Sequence, residues 1–155
     1  MALTLIQNFK SSLDLNQIKT VIKDKDFQEH RNKEIKLISY EIFSEPQSKI
    51  TIKKVLEIEL PTNISALVTN PFEIIEIWNL DKENEVLVTI EIPKIQSLIF
   101  VELRKNNDDE ILIKSEINSK VFMMGSFVEE HVAKFWKKLI DKDLKLLTEW
   151  QINQI

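Results

Sequence analysis

Three side chains of this sequence could exchange protons from inside a fold: Lys54, Glu76 and His131. Lys54 falls in phase with Ile50, Ile52, Leu56 and Ile58 on an alternating stretch, which carries its ammonium to the inward face. A buried ammonium needs a partner or water. A bulge at Lys53-Lys54 would turn one of the two lysines to solvent, and that is the blander expectation. Glu76 is in phase with Phe72, Ile74 and Trp78 and could partner Lys54. Ile75 and Ile77 give the same strand a second apolar face, so Glu76 is expected at the surface. His131 lies on the apolar side of a helical stretch, one turn before Phe135. A lone histidine there reads as a packed residue, because a site needs converging partners. His30 sits among charges and reads as solvated.

Other chemistries find no support. There is no glycine-rich phosphate loop, no nucleophile elbow and no zinc-type histidine pair, so no cofactor and no metal are expected. The absence of cysteine removes disulfides, thiolate zinc sites and cysteine nucleophiles. It is compatible with the cytoplasm, the expected location. A net charge of -4 without a basic block argues against nucleic acid or an anionic membrane as partner. No apolar run is long enough to span a bilayer, and Met1–Lys10 lacks the features of a signal peptide. With 155 residues, 43% of them hydrophobic, the chain reads as one domain over residues 1–155 with a real core.

The elements that must position these residues are read from periodicity. The longest is a helix from Ser126 to about Gln151, roughly 39 Å at about 1.5 Å per residue. Ser126 with Glu129 makes a capping box after Gly125, and lysines at 137, 138, 142 and 145 suit the negative end of the dipole. Val128, Val132, Phe135, Leu139, Leu146 and Trp150 fall at helical spacing, and Trp136, Ile140, Leu144 and Leu147 widen the face. Ahead of it, residues 2–10 alternate as a strand. Asp14 with Gln17 caps a short helix, and Asp26 with Glu29 a second, running to about Lys33. Ile38, Tyr40 and Ile42 mark the next strand. Further strands are read at 49–60, 72–80, 85–92, 97–104 and 110–123, with a single helical turn at 63–69. Strands that bury one face need a cover, and the long helix supplies it: an α+β arrangement.

This order of elements resembles the START-like, or Bet v 1-like, superfamily, also called the polyketide cyclase/dehydrase and lipid transport (SRPBCC) superfamily. The carrying residues are Glu59-Leu60-Pro61 before a helical turn, the strand at Phe72–Trp78, and Met123-Met124-Gly125 leading into the capped helix. The second half is similar to an uncharacterised bacterial START-like family. The chain departs from such families in having a single glycine, so its sheet must bend by other means.

The resemblance implies a helix-grip fold: a curved antiparallel sheet of about seven strands around the C-terminal helix, often enclosing an apolar cavity. It supplies no catalytic residues. Two function classes follow. One is a binding module for an apolar small molecule such as a lipid or isoprenoid, held between sheet and helix. The other is a cyclase/dehydratase-type enzyme whose acid and base would come from Lys54, Glu76 and His131; a ligand-free interaction module remains if the core is filled. The absence of a catalytic constellation favours binding. The expected ligand wall comprises Ile52, Lys54, Leu56, Val88, Ile90 and Ile113 on the strands. On the helix it comprises Val128, His131, Val132, Phe135 and Leu139, with Lys54 orienting a ligand head group.

Overall fold

The computed structural model describes residues 3–44, 48–59, 62–65, 69–120 and 125–153; at 34, 63, 64, 125–127 and 151–153 it describes the backbone alone. The chain runs β1 (Leu3–Lys10), α1 (Leu15–Val21), α2 (Lys25–Arg31), β2 (Lys36–Phe43), β3 (Lys49–Glu57), α3 (Thr62–Ser65), β4 (Phe72–Asn79), β5 (Glu85–Ile92), β6 (Ser97–Asn107), β7 (Glu110–Ser119) and α4 (Gly125–Asn153). The seven strands form one sheet in the order β1-β7-β6-β5-β4-β3-β2. Every neighbouring pair is antiparallel. The fold is the expected α+β helix grip: a curved sheet, two short helices after the first strand, and a long C-terminal helix.

Strict alternation builds the inner face. Along β3 the buried positions are Ile50, Ile52, Lys54 and Leu56; along β5 they are Val86, Val88, Ile90 and Ile92. All but Lys54 share one core with Val132, Trp136, Ile140, Leu144 and Leu147 of α4. The indole N–H of Trp136 donates to Ser115 Oγ on β7 at 2.7 Å, pinning the middle of the helix to the sheet. Burying a tryptophan this way requires such a partner for its N–H.

Several local expectations are corrected. The α1 capping box of Asp14 and Gln17 is present. For α2 the cap is Asp24, not Asp26: its carboxylate accepts the N–H of Asp26 at 2.9 Å. Helix α4 begins at Gly125, which places Ser126 inside the first turn. The carboxylate of Glu129, 5% exposed, accepts the backbone N–H of Ser119 at 3.0 Å and ties the end of β7 to α4, while the Ser126 side chain of the expected box lies outside the described residues. The register slips between Leu37 and Ser39, which leaves Ile38 unpaired in the ladder and exposed. Strand β3 stops at Glu57 and β7 at Ser119, short of the expected ends. The single glycine does not supply a left-handed corner. Gln96 does, at φ 48° between β5 and β6.

Candidate functional site

Four charged side chains meet under α4. Strand alternation brings Lys54 inward from β3 and Glu76 from β4; α2 contributes Arg31 and α4 contributes Asp143. Arg31 donates from Nε to Asp143 Oδ1 at 3.0 Å and from Nη2 to Asp143 Oδ2 at 2.7 Å, a two-pronged pairing. Its Nη2 also reaches Glu76 Oε1 at 2.8 Å. Lys54 Nζ lies 3.0 Å from Glu76 Oε2, and the indole N–H of Trp78 donates to Glu76 Oε1 at 3.1 Å. Gln28 accepts from Arg31 at 3.3 Å and donates to the carbonyl of Ile22 at 2.8 Å. Two cations thus face two anions, and the cluster is neutral.

Charge and burial set the proton affinities. Burial raises the Glu76 carboxyl, yet Arg31 and then Lys54 outweigh it and hold Glu76 at about 2, against an ordinary 4.5. Burial opposes the Arg31 charge, and Asp143 with Glu76 more than restores it. Burial, and then the nearby Arg31, push Lys54 below its ordinary range against the pull of Glu76. No bulge forms at Lys53-Lys54, so Lys54 is buried; Glu76 is buried as well, at 1% exposure, not on the surface. The proton-exchanging trio does not assemble. Lys54 and Glu76 meet, but no hydrogen bond or ion pair among the described residues joins His131 to either.

His131 instead faces an open cleft of about 1080 Å³ beside the first half of α4. Helical spacing places His131, Lys134, Phe135 and Lys138 on that wall. Ile35, Lys36, Leu56, Glu57, Ile58 and Glu59 form the strand side. Ile58 lies just past the end of β3, yet it is held. Its N–H donates to Asn70 Oδ1 at 2.8 Å, and its carbonyl accepts from Asn70 Nδ2 at 3.0 Å, so one amide replaces a strand partner. Lys94 donates to the carbonyl of Thr69 at 2.7 Å and steadies the same rim. Burial, and then the charge of Lys134, lower the proton affinity of His131, which favours the neutral imidazole.

Behind the cleft lie two small voids. One, about 30 Å³, is lined by Ile58, Phe72, Ile92, Ile95, Val128, His131, Val132 and Phe135. The other, about 20 Å³, touches Lys54, Leu56, Glu76, Ile90, Phe135 and Leu139 among others. Phe135 borders all three spaces. Of the expected wall, Leu56, His131 and Phe135 face the cleft, while Lys54, Ile90, Val128, Val132 and Leu139 face the voids. Ile52, Val88 and Ile113 are packed core and border none of these spaces. Most of the space between sheet and helix is filled, with Trp78 and Trp136 among the largest fully buried side chains.

Sequence reasoning missed Arg31 and Asp143. Each had a signal: Arg31 stands one turn after Phe27, and Asp143 is in phase with Trp136, Ile140 and Leu147. It also missed Lys134 and Asn70, whose roles depend on where the cleft opens.

No protein-family model matches the chain, and no curated protein matches it in sequence. Solved structures do match in shape. The di-domain ARO/CYC StfQ from the steffimycin biosynthetic pathway superposes with a TM-score of 0.66 at 5% identity, over 99% of this chain and 52% of that one. Ara h 8.0201 gives 0.61 at 12% identity, covering 99% of both chains. A START superfamily protein from Mycobacterium smegmatis gives 0.59 at 12% identity, over 96% of this chain and 98% of that one. At such identities the likeness concerns architecture: the chain has the START-like, or Bet v 1-like, helix-grip fold.

Proposed function

We propose that the protein is a binding module for an apolar small molecule, such as a lipid or isoprenoid, seated in the cleft between the sheet edge and α4. The observation that carries this is the cleft itself, about 1080 Å³ with Ile35, Leu56, Ile58 and Phe135 as an apolar floor. That volume suits a drug-sized or lipid-sized guest. Phe135 borders the cleft and both voids, so movement of its ring would widen the apolar floor toward Val132, Ile90 and Leu139. The neutral, mutually paired Lys54 and Glu76 favour binding over acid–base catalysis, since neither offers an unpaired charge to a substrate. Titration with the neutral fluorophore N-phenyl-1-naphthylamine tests this. The expected result is saturable one-site enhancement that Thr69→Trp at the cleft rim strongly weakens. No saturable binding, or binding indifferent to Thr69→Trp, would overturn the reading.

A further inference from the structure

We infer that the cleft selects an amphipathic acid, with its carboxylate held by Lys134 and Lys138 on the helix wall and its chain on the floor of Ile35, Leu56, Ile58 and Phe135. This rests on the binding reading above and adds the class of ligand and its orientation.

The two lysines stand four residues apart on one face of α4, and both border the cleft. Like charges at that spacing repel and destabilise a helix. Neighbouring carboxylates usually relieve such a pair. Here both lysines are exposed, and neither forms an ion pair among the described residues. The helix dipole, the expected reason for Lys138, does not account for them either. Its effect fades beyond the last turn, and Lys134 and Lys138 lie several turns before Asn153.

The opposite wall is different. Lys36 and Glu57 face each other across the β2–β3 ladder and offset one another, leaving Glu59 as the remaining charge on that side. An acid is therefore repelled from the strand wall and drawn to the helix wall. The interior offers no competing anchor. Lys54 already pairs with Glu76 inside a neutral cluster, so a carboxylate brought there would add an unbalanced buried charge. The acid end stays at the mouth, and the apolar tail lies along the cleft floor beside Phe135.

The test compares dodecanoate, dodecanol and dodecyltrimethylammonium, each below its micelle concentration, by displacement of the neutral fluorophore. It uses the parent protein and a Lys134→Gln/Lys138→Gln variant. The expected result is dodecanoate binding about fivefold tighter than dodecanol, two solvent-exposed ion pairs being worth about that much. That preference should vanish in the variant and weaken at high salt, with dodecanol affinity unchanged in both cases. Equal affinity for acid and alcohol, tighter binding of the ammonium, or a preference that survives the double substitution would overturn this inference while leaving the binding reading in place. If the fluorophore binds and none of the three displaces it, this inference falls and the binding reading stands; if the fluorophore itself does not bind, both fall.

Discussion

Glu76 accepts from three side chains at once: Arg31 of α2, Lys54 of β3 and Trp78 of its own strand. Taking charges out of water costs several kcal/mol per ion, so such a cluster holds only while complete. Glu76→Gln should therefore cost about 3–5 kcal/mol, the usual penalty for breaking a buried pair. The pH dependence has a definite sign. The folded-state value of about 2 lies below the ordinary 4.5, so the stabilisation is fully present above pH 4.5 and is lost as the pH falls toward 2. The gap in urea midpoint between parent and Glu76→Gln should narrow over that window; a constant gap would mean the charge is not what stabilises. Half of this cluster is legible in the sequence. Lys54 and Glu76 show by strand phase, although the expectation turned one of Lys53-Lys54 to solvent and put Glu76 at the surface. Arg31 and Asp143 do not, because a short helix gives little phase information and a charge within an apolar stripe means nothing until its partner elements converge.

The elements were more readable than their ends. Alternation marks β3 and β5 because one face is buried throughout, and a broad apolar stripe marks α4. Ends escape because other groups take over there. Asn70 carries the ladder one residue past β3, and Glu129 takes the last N–H of β7. An irregular register between Lys105 and Asn107 lets polar residues prolong β6. Since Val132, Trp136, Ile140, Leu144 and Leu147 are all buried against the strands, α4 is the cover without which the inner sheet face meets water. A chain ending at Met124 should lack a cooperative thermal transition and expose enough apolar surface to aggregate. A sharp transition in that truncated chain would show that the sheet closes its core without the helix.

At the scale of the molecule, the sheet grips α4 so closely that free volume survives mainly at one end. The sequence suggests an elongated cavity, because its strands carry compact Ile and Val. The structure fills the centre with Trp78 from one side and Trp136 from the other, and leaves the open space beside His131 and Phe135. Packing of this kind cannot be read from one strand or one helix at a time. The sheet order also has a kinetic consequence. Strands β2 to β6 each pair with the next in sequence, but β1, the first strand, pairs only with β7: Leu3 lies opposite Ile117 and Phe9 opposite Ile111. Closing so long a loop is entropically costly and rewards nothing until the meander exists. The nucleus is therefore expected within β3 to β6, with β1 docking afterwards. Leu5→Ala should accelerate unfolding while hardly slowing folding, whereas Val88→Ala should slow folding, as chevron plots of the two variants would reveal. The strand made first is the last to find its place.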